Sequence, residues 1–263
     1  MSPPRRALRE MRGLVFDLDG CVWTGEVLTP GAAEVLALIR RQGKGLCFLT
    51  NNSRARARTM QAKLERLGVE AKEAEVLTPL EILGEVVAQR WGPSRVLAIG
   101  GRELADVLVE AGHTLVPVDA YRDATVVVVG NDFEFSYERL TAAARAVDAG
   151  AAFVTPNIDP RLPMEDGQFL PGCGAIVEAV ASAAGARPIV IGKPEPPLFE
   201  LALQRMGLGV DDAAMVGDSI DSDVRGARRV GMTAVLFAPK GGPDGVAHYI
   251  VKSMPQLKRL LGP

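Results

Sequence analysis

Histidine and cysteine are scarce in this chain of 263 residues, with two of the first and three of the second. The cysteines, Cys21, Cys47 and Cys173, are odd in number, far apart and without a CxxC pair, which argues against a disulfide framework and against a zinc site. Reduced thiols in a cytoplasmic protein are the expectation. His113 and His248 stand alone in the sequence and are read as structural or surface residues. Charge of one sign is lacking too. A formal net charge of −2 gives no general reason to bind nucleic acid or an acidic membrane surface, so neither is expected as a partner. No uninterrupted apolar run approaches membrane-spanning length, and the opening MSPPRRALREMRG reads as a short basic arm of a soluble protein, not a secretory segment. Three signatures are also missing: there is no GxxxxGK[ST] phosphate loop, PGCGAIV lacks the third glycine of a dinucleotide fingerprint, and GDSID is not a GxSxG serine elbow.

What is present is 48% hydrophobic residues, enough to bury a full core, arranged in a regular rhythm. Short runs rich in Val, Ile and Leu alternate with helical patterns: LVFDLD, GAAEVLALIRRQG, GLCFLTN and RARTMQAKLERLG at the start, then PIVIGKP, PPLFELALQRMG, AAMVGDS, SDVRGARRVG and TAVLF toward the end. That order predicts right-handed βα units on a parallel sheet, and unbroken apolarity predicts strands covered on both faces. The middle has strands and helices of its own (RVLAIGG, ATVVVVGND, AAFVTPN). It is therefore expected as an α/β domain, residues 80–185, inserted between two halves of one sheet at 1–79 and 186–263.

Four segments of the outer pieces carry polar residues where a strand hands over to a loop, and ligands bind at such strand ends in open α/β sheets. In LVFDLDG, Asp17 and Asp19 are two apart, which on an extended strand aims both to one side. In TNNS, Thr50, Asn51, Asn52 and Ser53 offer hydrogen bonds and a helix start to a phosphate-sized anion. In GKP, Lys193 is held between a glycine and a proline. In GDSIDSD, Asp218 ends a strand while Asp221 and Asp223 open a helix, where the dipole already favours carboxylates. Asp218 brought near Asp17 and Asp19 meets repulsion of about 1 to 4 kcal/mol per pair at surface-like dielectric, which a hard divalent cation removes. Oxygen-only ligands beside an expected phosphate point to Mg²⁺.

DLDGCVW, TNNS, GKP and GDSIDSD, in that order, resemble the four motifs of the haloacid dehalogenase superfamily of phosphatases. The insertion, with GNDFEFSY, NIDPRLP and PGCGAIVEA, resembles the class IIA cap of its p-nitrophenylphosphatase and phosphoglycolate phosphatase branch. The resemblance implies a Rossmann-like parallel-sheet core with an inserted α/β cap. It also implies a Mg²⁺-dependent hydrolase of a small-molecule phosphomonoester, such as phosphoglycolate, a sugar phosphate or a nucleotide monophosphate. Asp17 is then the nucleophile that forms an aspartyl phosphate and Asp19 the acid and base. Thr50, Asn51, Asn52 and Lys193 hold the phosphate. Asp17, the Asp19 carbonyl and Asp218 bind the metal, with Asp223 behind them. A homodimer through the cap is implied as well. The cap reads TPNID where the family has a threonine directly before the asparagine, so no substrate contact is carried over to that loop. Cys21 and Trp23 are expected to pack beside the crevice. The competing reading from another class is a phospho-accepting receiver, which also uses clustered aspartates and Mg²⁺ but needs neither a cap nor Asp19.

Overall fold

A computed structural model describes residues 6–163 and 168–262; the first five residues of the predicted basic arm lie outside them. The chain opens with strand β1 (Gly13–Phe16), a small hairpin of β2 (Trp23–Thr24) and β3 (Val27–Leu28), helix α1 (Ala32–Arg41), β4 (Gly45–Leu49), α2 (Ala57–Arg66), β5 (Val76–Leu77) and α3 (Leu80–Trp91). It continues with β6 (Arg95–Ile99), α4 (Arg102–Glu110), β7 (Thr114–Leu115), β8 (Val126–Val129), α5 (Tyr137–Asp148), β9 (Ala152–Thr155), a second hairpin of β10 (Arg161–Pro163) and β11 (Phe169–Pro171), and α6 (Cys173–Ala184). It ends with β12 (Ile189–Val190), α7 (Pro196–Met206), β13 (Ala213–Gly217), α8 (Arg225–Arg229), β14 (Thr233–Phe237), β15 (Tyr249–Val251) and α9 (Met254–Leu261). Among the described residues no helix is long and apolar enough to cross a membrane.

The strands form a six-stranded parallel sheet in the order β15-β14-β13-β1-β4-β5 and a five-stranded parallel sheet in the order β12-β9-β8-β6-β7. This is the α/β architecture expected, with one difference. The run PIVIGKP was assigned to the first sheet, yet Ile189 and Val190 pair with Val154 and Thr155 on the edge of the second. The second sheet therefore extends to residue 190, past the expected bound at 185. A two-residue apolar strand carries no information about which sheet it joins.

Unbroken apolarity along the central strands is explained by burial on both sides. Leu14 and Phe16 feed a layer with Val35 and Ile39 of α1 and Leu257 of α9, whereas Val15 between them faces the opposite layer. That second layer is shared by both sheets: it holds Val15 and Leu49 of the first, Leu83 and Val87 of α3, Phe199 of α7, and Val96, Val126 and Val128 of the second. Their neighbours Leu97, Val127 and Val129 turn to a third layer under α5 and α6. Helix α3 is thus the apolar wedge that joins the two sheets. Leu83 is fully buried at its centre. Leu83→Ala is expected to lower unfolding free energy by about 2–5 kcal/mol, read from the urea midpoint.

Candidate active site

Register alone brings three of the four segments together. Phe16 lies beside Val216 on one side and Phe48 on the other, so Asp17, the loop after Leu49 and Asp218 leave adjacent strands at the same edge. Asp17 is buried, and its amide still donates to Val216 O at 2.8 Å, the last rung of the ladder. Asp19 reaches the same cavity by a different route from the one expected. The strand ends before it, and Leu18 O accepts hydrogen bonds from the amides of Cys21, Val22 and Trp23 in a tight turn. Gly20 makes that turn possible: its φ is +90°, and a Cβ there would fall 2.3 Å from Asp218 Oδ2. The turn swings Trp23 back, and its Nε1 donates to Asp19 Oδ1 at 2.8 Å. Trp23 packs in the core as predicted, but it also orients the second aspartate, a role that the sequence reading missed.

Lys193 comes from the other sheet. After β12 the chain crosses back through Ile191 and Gly192, and the lysine enters the first sheet's edge almost wholly buried, 2% exposed. Its ammonium donates to Asp17 Oδ1 at 2.5 Å, Asp223 Oδ1 at 2.7 Å and Leu49 O at 3.1 Å, which uses all three of its protons. Gly192 permits the crossing, since a Cβ there would meet Pro156 O at 2.3 Å and Asn51 Oδ1 at 2.7 Å.

The TNNS loop departs from its expected form. It does not cap a helix: α2 begins only at Ala57, and the Ala57 amide is taken by Glu81 Oε1 at 3.0 Å. Asn52 Oδ1 accepts from the amides of Arg54 and Ala55, so this carboxamide oxygen shapes the turn. The physical reason is that Asn and Asp side chains compete for nearby amides and close loops before a helix can begin. Asn51 is committed to the protein through both ends of its amide. Its Oδ1 accepts from Lys193 N at 2.9 Å, and its Nδ2 donates to Lys193 O and to Asp159 Oδ2, each at 3.0 Å. Thr50 is buried beside them, its hydroxyl accepting from Asn52 N at 3.0 Å and lying 3.4 Å from Asp19 Oδ2.

The second sheet covers this edge. Asn157 Nδ2 donates to Asn51 O at 2.6 Å, and Asp159 takes the Asn51 bond just described. The TPNID loop, from which nothing was carried over, therefore bonds directly to the site. Its position at a strand end of the inserted sheet was the available signal. Arg54 lies 3.7 Å from the centre of the Phe133 ring, and Arg56 pairs with Glu110 at 2.8 Å, both across the two sheets. Between them is a cavity of about 620 Å³ lined by Asp17, Asp19, Thr50, Lys193 and Asp218 from below and by Glu103, Asn131 and Arg161 from above.

Asp17, Asp218 and Asp223 each offer an oxygen, and the three lie within 4.8 Å of one another. One ammonium does not balance them. Burial first, and then Asp223 and Asp218, hold the Asp17 carboxyl well above the usual range against the pull of Lys193. Asp218 is pushed up to about 6 by loss of solvent and by Asp223. Burial would lower Lys193, but Asp17 and Asp223 outweigh it and hold the ammonium well above its ordinary value. An oxygen-only set with surplus negative charge fits a hard divalent cation. Asp223 belongs to this cluster while also accepting from Lys193 and from Ser219 N at 3.1 Å. Asp221 is not in it; it is exposed and pairs with Arg225.

The residues without a part in the site behave as expected. His113 Nδ1 accepts from Ser94 N at 3.1 Å and its Nε2 faces Gly84 O at 2.9 Å, while His248 Nδ1 accepts from Ala234 N at 2.9 Å. All three cysteines are buried free thiols, and burial, with the nearby carboxylates, pushes Cys21 well above its usual range.

The site is thus a set of carboxylates and one buried lysine gathered at the strand ends of a parallel sheet and roofed by an inserted sheet. The sequence matches the haloacid dehalogenase-like hydrolases over residues 14–114 and the HAD-hydrolase-like family over residues 190–240. The chain belongs to the haloacid dehalogenase-like hydrolase family, on its phosphatase branch with an inserted α/β cap. It is 34% identical to mouse chronophin, over 96% of this chain and 94% of that protein. It is 35% identical to an acid sugar phosphatase of Staphylococcus saprophyticus, over 82% of each. Among solved structures, a glycerol phosphate phosphatase of Mycobacterium tuberculosis in complex with magnesium superposes with a TM-score of 0.85 at 32% identity, covering 97% of this chain and 80% of that one.

Lys193→Met leaves Asp17 and Asp223 buried without their counter-charge. It is expected to cost about 3–5 kcal/mol of stability at neutral pH, measured by urea unfolding in the presence of a chelator. Asp17 is already held well above the usual carboxylate range with the lysine present and rises further without it, so it binds a proton in the fold more readily than in the unfolded chain and the deficit should shrink as pH falls from neutral.

Proposed function

We propose that the protein is a Mg²⁺-dependent phosphomonoester hydrolase that works through an aspartyl phosphate on Asp17. The observation that carries this reading is the pairing of two aspartates in one cavity with opposite environments. Asp17 is buried and fixed by Lys193 through one oxygen, which leaves the other to attack. Asp19 is exposed to the cavity and oriented by Trp23 and Thr50.

In the first step a carboxylate oxygen of Asp17 bonds to phosphorus, the bond from phosphorus to the ester oxygen breaks, and Asp19 delivers a proton to the departing alcohol. In the second, water attacks the same phosphorus and Asp19 takes its proton. Inorganic phosphate leaves, and Asp17 is regenerated. Lys193 and Thr50 face the phosphoryl oxygens, where charge must be held in phosphoryl transfer. Asn51 fixes the Lys193 peptide, and Asn52 shapes the loop that presents Thr50. Asp17, Asp218 and the Asp19 carbonyl would hold Mg²⁺, with Asp223 beside them, and the ion supplies positive charge to the phosphoryl group when bound. The roof formed by Asn157 and Asp159 excludes water from the first step. The relatives named for sugar and glycerol phosphates support a small phosphorylated metabolite as substrate.

The test is phosphate release from a panel of phosphomonoesters with and without Mg²⁺. Metal-dependent turnover is expected in the wild type and none in Asp17→Asn; turnover surviving in that variant would remove Asp17 as nucleophile. A single, long-lived phosphorylation without turnover would instead indicate a receiver. Trp23→Phe keeps the packing but loses the bond to Asp19. It is expected to lower kcat for alkyl phosphates about tenfold, roughly the 1.4 kcal/mol of one hydrogen bond to a charged group. The loss for p-nitrophenyl phosphate should be smaller, because its phenolate leaves with little help from a proton.

A further inference from the structure

Asp19 is held from outside the edge of the sheet. Its Oδ2 lies 3.4 Å from the Thr50 hydroxyl, and its shorter bond is the one from Trp23 Nε1 at 2.8 Å. Whatever acts on that indole therefore acts on Asp19. Trp23 is fully buried, and over its ring lies Lys63 of α2, with the ammonium 4.6 Å from the ring centre. Among the described residues four other cations lie over aromatic rings: Arg54 over Phe133, Arg90 over Trp91, Arg122 over Tyr121 and Arg161 over Phe169. Each of those rings belongs to a residue at least partly open to solvent, so Lys63 differs in covering a buried one.

An ion pair alone does not account for this placement. Lys63 lies 3.4 Å from Glu26, on the turn between β2 and β3, and Arg66 of the same helix pairs with that carboxylate too. Arg66 does so from solvent, with its side chain 62% exposed, whereas that of Lys63 is only 18% exposed. A pair with an exposed glutamate contributes little and does not require a lysine to be drawn inward. Nor is the contact only that of an aliphatic stem covering a ring, since the charged end itself is within reach of the indole face. The signs alternate along one chain of contacts: the Glu26 carboxylate, the Lys63 ammonium, the electron-rich face of the indole, its electron-poor N–H edge and the Asp19 carboxylate. Groups linked in this way polarise one another, and a cation on the face draws density from the ring and makes its N–H a stronger donor.

We propose that Lys63 is a positioning residue of the reaction, whose charge over the Trp23 indole strengthens the hydrogen bond that aims Asp19. Lys63 does not line the cavity and acts only through Trp23. This rests on the phosphatase reading above, in which Asp19 gives a proton to the leaving alcohol and then takes one from water.

The experiment is a double-mutant cycle. With Mg²⁺ and the alkyl phosphate that the wild type hydrolyses fastest in the panel above, kcat and KM are measured in the wild type, Lys63→Met, Trp23→Phe and the double variant, with Lys63→Arg as the conservative control. Methionine keeps the stem and loses the charge; phenylalanine keeps a ring for the cation and has no N–H. Lys63→Met is expected to lower kcat about twofold to fivefold, the range of one cation–ring contact, with KM unchanged. Lys63→Arg should stay close to the wild type. In the Trp23→Phe background, Lys63→Met should cause no further loss, because the N–H through which it acts is gone. A lysine that only braces the hairpin against α2 would instead cost the same factor in both backgrounds. The chain has two tryptophans, so Trp91→Phe leaves Trp23 as the sole emitter and gives a readout independent of turnover. Its emission should shift in Lys63→Met and far less in Lys63→Arg. Equal losses of kcat in both backgrounds, no loss in Lys63→Met, as large a loss in Lys63→Arg, or an emission that Lys63→Met does not move would each overturn the proposal. A wild type that hydrolyses no phosphomonoester would refute the phosphatase reading, and this proposal with it.

Discussion

The site depends on one buried ammonium. Burying a charge is expensive unless it is fully paired and hydrogen-bonded, and Lys193 meets that condition by placing each of its three protons on a different acceptor. Those acceptors come from three strand ends that are far apart in sequence: Asp17 after β1, Leu49 at the end of β4 and Asp223 after β13. The lysine cancels part of the repulsion that would otherwise splay the carboxylates, and it fixes one oxygen of Asp17. Because one positive charge faces three carboxylates, the balance stays negative, and that residue of charge is what makes the cluster receptive to a divalent cation.

The same lysine ties the roof to the floor. It arrives on the strand that closes the second sheet's edge, one residue after a glycine that no side chain could replace without striking Pro156 and Asn51. Asn51 then binds the Lys193 peptide by both its N–H and its carbonyl and extends a third bond to Asp159 of the roof. A single asparagine thus joins the phosphate loop, the lysine and the covering loop. Any lifting of the roof must break the bonds from Asn157 and Asp159 to Asn51, which sits beside Thr50.

Much of this could be read from the residues, and the parts that could not have physical causes. The parallel α/β layers followed from unbroken apolar runs, and Leu14, Val15 and Phe16 facing alternate layers shows why those runs carry no polar break. Asp17, Thr50 and Asp218 were legible because each directly follows an apolar strand. Asp19 was placed correctly for a reason that needed revising: a glycine turn and the Trp23 indole aim it, not strand alternation. The membership of Ile189 and Val190 in the second sheet was hidden, since two apolar residues fit either edge. Asn157 and Asp159 were missed because their effect is made across the two sheets, more than a hundred residues from Asn51 in sequence.

The distribution of polar groups in the cavity separates chemistry from recognition. Below, the Lys193 ammonium, the Asn51 carboxamide and the Asp223 carboxylate are each engaged with other protein atoms, which is the mark of a preorganised centre. Above, the wall mixes bonded asparagine with one carboxamide that has no partner among the described residues and two arginines that lie over exposed rings. A group fixed by the protein contributes equally to every ester, whereas a group fixed only by its ligand discriminates among them, because an ester without the matching atom leaves it unsatisfied. The first sheet's edge, which the family's motifs describe, is accordingly the part of the cavity fixed by the protein itself. The roof, whose TPNID loop departs from the family's pattern, is the part of the cavity wall where a group is left for a ligand to fix.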